Sequence, residues 1–352
     1  MPMKGTAMAK QSTPSNAATE TKGGPAEMDL LDKQILNVIQ SSFPMTERPY
    51  QAVADEIGLT ESGIIERIRR LRRENVVRQI SGIFDTRRLG YKTSLIAFTY
   101  PEDKLHKAAL YINKHPGVSH NYARIGHQFN LWFTLAVPPY ESLEETAADL
   151  AEKTKATNWR LLPTIRFFKI GVNFDMVNGE GNAADYAPDN DTWNKVEELT
   201  DFEIQVIREV QEDLSLEEQP FGEMAERLGI PLTEMFSILQ GFEKRGVMRR
   251  YSAVLHHRKA GFRSNAMTVW NVPEDRKTEA GKALAESKWV SHCYERPIFP
   301  DWPYSHFAMI HATSRERCEE VAKELAAATG VDDYLLLYST REYKKTRVRY
   351  FV

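Results

Sequence analysis

Residues 119–134 of this chain read SHNYARIGHQFNLWFT. The pattern predicts a β-strand, a tight turn at Gly126 and a returning strand. Side chains alternate between the two faces of a strand, so His120, Tyr122 and Arg124 point to one face. A sheet face with these three polar groups is unusual, because burying them without partners costs free energy. We expect this stripe to carry chemistry; the alternative is a polar sheet face in a dimer interface.

The stripe recurs later in the chain. In Ser291-His292-Cys293-Tyr294-Glu295-Arg296, a histidine, a tyrosine and an arginine again alternate. Other segments recur at similar offsets: residues 53–59 match 224–230 at 171 (224 − 53), and residues 164–169 match 339–344 at 175 (339 − 164). The chain is therefore a tandem duplication of one unit.

The composition is that of a soluble globular protein. The 352 residues are 42% hydrophobic and 27% charged, which suggests two or three domains. A formal net charge of −3 gives no electrostatic bias toward nucleic acid. The two cysteines, Cys293 and Cys318, fit a reducing compartment, and no apolar run is long enough to cross a bilayer. We expect a cytoplasmic protein that is not bound to a membrane.

Each repeat begins with helices. A stripe of apolar residues starts near Leu31, a second helix starts at Pro49, and Thr60 caps a third from Glu61 to Arg73. This order is typical of a helix-turn-helix. The arginine row of the third helix, Arg67, Arg69, Arg70, Arg72 and Arg73, indicates either DNA recognition or a solvated or inter-domain face. Its counterpart from Leu232 to Lys244 lacks the row, so DNA binding is not expected.

Alternating strands and helices follow in the order βαββαβ, with the fourth strand predicted over 159–169. This order is ferredoxin-like. The fold class is therefore α+β, a tandem duplication of winged helix-turn-helix and ferredoxin-like units. The predicted division is a disordered tail (1–27), helix-turn-helix 1 (28–80), ferredoxin-like domain 1 (81–175), a linker (176–198), a degenerate helix-turn-helix 2 (199–251) and ferredoxin-like domain 2 (252–352).

This arrangement resembles the Lrp/AsnC family of regulators, whose helix-turn-helix pattern is similar to residues 32–36 and 67–71. A narrower resemblance rests on residues 120–133, with 78–82 and 88–91. These segments are similar to the sirohaem decarboxylases, the AhbA/AhbB pair and the NirD, NirL, NirG and NirH proteins. Two such units in one chain resemble a fusion of the NirDL type. The resemblance covers about residues 28 to 347.

The resemblance implies a carboxy-lyase of haem d1 biosynthesis. Such an enzyme removes the C12 and C18 acetate carboxyls of sirohaem, giving 12,18-didecarboxysirohaem and carbon dioxide. It implies no cofactor beyond the substrate sirohaem, an iron tetrapyrrole, and no other metal. Further candidate partners are NirG/NirH-like companion subunits or a second copy in a homodimer. The rival functions are an Lrp/AsnC-type DNA-binding transcription regulator and a non-catalytic haem-binding sensor or carrier.

Sirohaem is a flat macrocycle with carboxylates around its edge, so its site needs an apolar slot and a rim of cations. Arginine holds a carboxylate by two hydrogen bonds, and histidine is a suitable proton donor near neutral pH. The expected catalytic residues are His120, His127 and Tyr122; the expected substrate-binding residues are Arg124, Arg78, Arg88, Trp132, His292, Tyr294 and Arg296.

Several of these residues have an alternative role. Either His120 or His127 is the proton donor, and the other is an orienter or an iron ligand. His127 is otherwise a turn residue, and Trp132 a core residue. Arg166 and Lys169 are either carboxylate clamps or charges that protect a strand edge. The second half either has a site of its own or lines the pocket of the first half.

Overall fold

The structure is a computed structural model of the chain. It describes residues 28–170, 173–175, 180–182, 195–255 and 264–352. The tail predicted over 1–27 and most of the linker predicted over 176–198 lie outside the described residues.

The described residues form ten α-helices and thirteen strands. The helices are α1 Leu30–Ser41, α2 Pro49–Ile57, α3 Glu61–Arg73, α4 Glu102–Ile112, α5 Leu143–Thr154, α6 Asp201–Val210, α7 Pro220–Leu228, α8 Leu232–Lys244, α9 Lys277–Glu286 and α10 Arg315–Thr329. The strands are β1 Val77–Phe84, β2 Lys92–Thr99, β3 Val118–Ile125, β4 Leu131–Val137, β5 Asn158–Pro163, β6 Arg166–Ile170, β7 Asn173–Asp175, β8 Glu180–Asn182, β9 Met248–Leu255, β10 Ser264–Trp270, β11 Val290–Glu295, β12 His306–Ala312 and β13 Tyr334–Lys345. Strand β8 lies within the predicted linker and pairs with β7.

Both predicted helix-turn-helix units are present, as α1–α3 and α6–α8. Local signals set their ends. Asp29 and Asp32 form a reciprocal capping box at the start of α1, and the Thr60 hydroxyl accepts a hydrogen bond from Gly63 N at 3.2 Å. Helix α2 begins at Pro49 and ends at Ile57, and the next residue, Gly58, has a φ of 79° that suits glycine.

The arginine row of α3 is engaged by carboxylates. Arg67 and Arg70 both pair with Asp32, which is only 1% exposed. Arg72 pairs at 2.7 Å with Asp213 from the second half. Much of the row is thus an intramolecular, partly inter-domain surface, which is one of the two alternatives that the sequence left open.

The two halves are related by an approximate twofold axis at β1 and β9. These strands pair antiparallel, and Ser81 faces Ser252, its own counterpart in the repeat (252 − 81 = 171). A residue that meets its counterpart marks the axis of a twofold interface. The helix-turn-helix units share one core across this axis, where Phe43 N donates to Tyr251 O at 2.8 Å.

The remaining long strands form one nine-stranded sheet in the order β5-β2-β4-β3-β13-β10-β12-β11-β6. The first four strands and the next four each repeat the ferredoxin-like order, so the predicted fold class is confirmed. The single strand predicted over 159–169 is wrong in one respect, because it is interrupted at residues 164–165. Its first part, β5, pairs with β2, whereas its second part, β6, pairs with β11 of the other half.

The sheet curls round on itself. Its two edge strands, β5 and β6, are separated by only two residues, and Ile165 N donates to Glu295 O at 2.8 Å beside the gap. In the second half, β13 makes the corresponding crossing as one long strand that pairs with both β10 and β3. Helices α4, α5, α9 and α10 cover the outer face. The inner face holds an aromatic core that includes Phe129, Trp132 and Trp302.

Candidate active site

Both polar stripes line a single cavity on the inner face of the sheet. Its volume is about 350 Å³, within the range of small-molecule sites. Strand β3 contributes His120, Tyr122 and Arg124; β11 and the residue after it contribute His292, Tyr294 and Arg296. The apolar walls include Leu95, Trp132, Met267, Phe307 and Met309. The structure thus favours the alternative in which the second half lines the pocket of the first.

A serine holds the imidazole in each stripe. Ser119 Oγ lies 3.0 Å from His120 Nδ1, and Ser291 Oγ lies 2.8 Å from His292 Nδ1. Each serine directly precedes its histidine, so the two arrangements are equivalent. The serines fix Nδ1 of both rings and leave Nε2 for another partner.

Burial lowers the pKa of both histidines to about 4. For His120 the further causes are the charges of Lys345 and Arg78 and the neighbouring His292. For His292 they are the charges of Arg249 and Lys169. Both rings are therefore neutral at pH 7. A ligand that brings carboxylates raises their pKa, because a nearby negative charge favours the protonated ring.

The two arginines are held alike. Arg124 Nη1 donates to Leu337 O at 3.0 Å, and Arg296 Nη1 donates to Leu162 O at 2.5 Å. Both side chains are buried, and Nε of each lacks a hydrogen-bond partner within the described residues. Burial lowers the pKa of each to about 10, so both stay charged at neutral pH. Buried guanidinium donors without partners fit a ligand that carries carboxylates.

The tyrosines and Trp132 stand beside these groups. The guanidinium carbon of Arg124 lies 5.3 Å from the ring centroid of Tyr122, and that of Arg296 lies 5.0 Å from that of Tyr294. Trp132 is 1% exposed, and its Nε1 donates to Phe129 O at 2.8 Å. The indole both belongs to the aromatic core and forms part of the cavity wall.

Arg78 approaches the site from β1. Its Nη1 donates to Lys345 O at 2.7 Å, and its charge acts on His120. Arg78 does not line the cavity that the two stripes share, which we call the central cavity. Its guanidinium is close enough to His120 to add positive charge next to that ring.

The structure does not bring His127 or Arg88 to this cavity. The His127 ring stacks on Phe129 at 5.5 Å and meets the Trp302 ring edge-on at 4.9 Å, and its Nδ1 accepts from Phe129 N. Arg88 pairs with Glu197 at 3.3 Å. His127 therefore packs against the aromatic core and Arg88 against Glu197, and neither side chain borders the cavity that the stripes line.

Arg166 and Lys169 lie on the edge strand β6. Arg166 pairs with Glu295 at 3.4 Å, and Lys169 Nζ donates to Ser287 O at 2.9 Å. Neither borders the central cavity. Their position agrees with the strand-edge alternative rather than with carboxylate clamps.

Comparison with known proteins assigns the chain. A model of the siroheme decarboxylase NirDL-like HTH domain matches residues 32–78 and 203–249, and a model of the AsnC-like ligand binding domain matches 88–169 and 259–344. A siroheme decarboxylase of Hydrogenobacter thermophilus is 41% identical over 90% of this chain and 94% of its own length. The chain belongs to the siroheme decarboxylase family.

Two further family members bear on the architecture. The siroheme decarboxylase beta subunit of Methanosarcina barkeri is 43% identical over 42% of this chain and 97% of its own length. The crystal structure of the siroheme decarboxylase NirDL in co-complex with an iron-uroporphyrin III analogue has a TM-score of 0.71 and 36% identity, and the match covers 92% of this chain and 95% of that one. Family members thus include half-length subunits, and this chain joins two such units.

Several residues that line the cavity were not predicted from the sequence. His311 and Lys345 also line the cavity, with Asn265, Thr134 and Ser339. His311 differs between the repeats, which was a visible signal, but its contact with Ser291 depends on strand register. A second cavity of about 420 Å³ lies on another side of His120 and is bordered by Gln79, Asp213 and Arg347.

No helix in the described part of the chain is long and apolar enough to span a membrane. Within the same residues, no group of three or more His, Cys, Asp or Glu side chains is placed to hold a metal ion.

Proposed function

We propose that this protein is a carboxy-lyase that removes the C12 and C18 acetate carboxyls of sirohaem. The observation that carries the proposal is the convergence of His120 and His292, each with its arginine, on one cavity. Membership of the siroheme decarboxylase family supports it independently. Each turnover converts sirohaem to 12,18-didecarboxysirohaem and two molecules of carbon dioxide.

Each decarboxylation needs an electron sink and one proton. The bond between the methylene and the carboxylate carbon breaks, carbon dioxide leaves, and the electron pair stays on the methylene. The macrocycle of the substrate delocalises that pair. A proton from His120 or His292 then converts the methylene to a methyl group. No net oxidation occurs, so we propose no cofactor beyond the substrate.

The other cavity groups bind and desolvate the substrate. Arg124 and Arg296 offer donors to peripheral carboxylates from opposite halves of the cavity. The apolar walls, with Trp132 and Phe307, contact the macrocycle and remove water from the carboxylate that leaves. Tyr122 and Tyr294 fix the planes of the guanidinium groups.

Binding and protonation are coupled in this mechanism. Both histidines are neutral because burial lowers their pKa to about 4. Substrate carboxylates raise the pKa of the cavity imidazoles, so the site gains protons as the substrate binds. The site therefore holds an imidazolium, the source of the quenching proton, only when substrate is bound.

One chain supplies both halves of the cavity. Family members of half its length are named as subunits, whereas here both stripes come from one polypeptide. We propose that this chain completes the site without an alpha or beta companion, and that it acts in haem d1 biosynthesis like the NirDL proteins it resembles. A regulator that binds DNA through α3 is disfavoured, because Arg67, Arg70 and Arg72 are paired with carboxylates.

The test is anaerobic incubation of the purified protein with sirohaem, followed by mass analysis of the tetrapyrrole. The proposal expects the loss of two carbon dioxide units. Binding with no change of mass would instead identify a sensor or carrier, the rival function that the cavity also allows.

A further inference from the structure

The two stripes differ in what lies behind their serines. In the second half, Ser291 Oγ lies 2.8 Å from His292 Nδ1 and also 2.8 Å from His311 Nε2. One hydroxyl therefore connects two imidazoles. In the first half, Ser119 Oγ contacts the Thr134 hydroxyl at 2.7 Å instead. A threonine hydroxyl cannot supply a proton near neutral pH as an imidazolium can.

Strand register explains this difference. Thr134 and Met309 hold equivalent positions, since each pairs with the stripe histidine across its ladder, β3–β4 or β11–β12. Two residues further along, the first half has Ala136 and the second has His311. The second half thus replaces a threonine and an alanine by a methionine and a histidine. His311 also borders the central cavity.

We propose that Ser291 and His311 form a proton relay through which His311 supplies the proton that His292 gives up. This inference rests on the proposed decarboxylase function. His292 starts neutral with its proton on Nε2, and His311 starts as the imidazolium. When His292 gives its Nε2 proton to the methylene carbanion, its Nδ1 takes the Ser291 hydroxyl proton, and the Ser291 oxygen takes the Nε2 proton of the His311 imidazolium. His311 is left neutral with its proton on Nδ1, and His292 stays neutral with its proton on Nδ1.

The surrounding charges make the relay depend on substrate. Arg249 from β9 and Lys169 from β6 act on His292, and His292 and Lys345 act on His311. Burial and these groups lower the pKa of both rings to about 4. Substrate carboxylates in the cavity offset the cations and allow His311 to become protonated. His311 is therefore protonated only when substrate is present.

The two carbon dioxide losses then differ in their proton supply. The loss that His292 serves draws on His311, whereas the loss that His120 serves does not. Removing the relay should slow one loss and leave the singly decarboxylated tetrapyrrole to accumulate.

The experiment is an anaerobic single turnover of the full chain with sirohaem, with the tetrapyrroles resolved by mass at each time. In His311→Gln, the amide still donates a hydrogen bond to Ser291 but carries no titrating proton. We expect one of the two losses to slow by about tenfold or more, since general acid catalysis contributes about 10²- to 10⁴-fold. We also expect that step to lose its pH dependence, and the dissociation constant of sirohaem to stay unchanged.

Two further variants separate the relay from a structural role. The double variant Met309→Thr with His311→Ala copies the first half, so it keeps a hydroxyl beside Ser291 and should behave like His311→Gln. His306→Gln is the matched control on the same strand, because His306 contacts Lys277 O at 2.8 Å and lies outside the cavity. It should complete both losses at the wild-type rates.

The outcomes are distinct. Both losses at wild-type rate and pH profile in His311→Gln and in the double variant would refute the relay alone. Equal slowing of both losses with weaker binding would show a structural role and refute it too. If wild-type protein lost no carbon dioxide, the proposed function would fail and the relay with it.

Discussion

His120 and His292 are 172 positions apart in the sequence (292 − 120), yet they line one cavity, and His292 adds to the lowering of the His120 pKa that burial causes. The pairing of β13 with β3 and of β6 with β11 places them there. A duplicated chain has therefore built one composite site rather than two separate ones.

Replacing either stripe histidine should disable one of the two carbon dioxide losses. We expect His120→Ala and His292→Ala each to slow one loss by at least about 100-fold, since each removes the proton donor of that loss. The measurement is the mass of the tetrapyrrole over time under anaerobic conditions. His106→Ala is the control, because His106 is exposed on α4 and contacts Tyr343. Full activity in both stripe variants would contradict the mechanism.

The free energy of unfolding, measured without added ligand, should fall in mild acid. Burial lowers the pKa of His120, His292, His306 and His311 from 6.5 to about 4. Between those values the unfolded chain binds more protons than the folded chain, so the free energy of unfolding decreases as the pH drops from 6.5 to 4. Denaturant titrations across this range measure the effect.

The same denaturant titrations with a bound substrate analogue are the control. With a substrate analogue in the cavity, the pKa of the stripe histidines rises and the acid dependence should weaken. A free energy of unfolding that is equally steep with and without the analogue would mean that the ligand does not reach these rings.

Gly281→Ala tests how the halves are joined. A Cβ on Gly281 in α9 would stand 2.2 Å from the ring of Phe168, which comes from β6 of the first half. We expect a loss of about 1–3 kcal/mol of unfolding free energy, because the ring must shift in a packed contact. Gly241→Ala is the matched helical control; its Cβ meets nothing within 4 Å, so we expect a neutral or stabilising change. An unchanged stability in Gly281→Ala would contradict the placement of β6.

Asp32→Asn tests the contacts of the arginine row. Asp32 is 1% exposed, caps α1 and pairs with both Arg67 and Arg70. Removing its charge should cost about 2–3 kcal/mol of unfolding free energy, the scale of charged hydrogen bonds. Glu74→Gln, which removes a half-exposed partner of Arg70, should change it by less than about 0.5 kcal/mol. Equal effects from both changes would show that the row is simply solvated.

Local patterns predicted the elements of this fold well. Helix α3 has the bounds that capping and periodicity indicated, and strands β3 and β4 flank the Gly126 turn as expected. The alternation in β3 also placed three site residues on one face. These features depend on neighbours in the sequence, so a sequence is sufficient to reveal them.

The pairing of strands that are far apart in the chain could not be predicted from the sequence. The interruption between β5 and β6 follows from the exchange of strands between halves, which no local pattern encodes. The family resemblance groups His127 with His120, whereas in the structure the turn carries His127 to Trp302. Arg88 was expected on the rim of the site, and its partner Glu197 lies 109 positions away in the chain (197 − 88).

The most direct test of the composite site is its binding stoichiometry. An anaerobic titration of the His120→Ala, His292→Ala double variant with sirohaem, followed by absorbance, counts the tetrapyrroles bound without turnover. One sirohaem per chain is the result expected when both stripes line one cavity. Two sirohaem molecules per chain would show that each half has a site of its own, and would contradict the account.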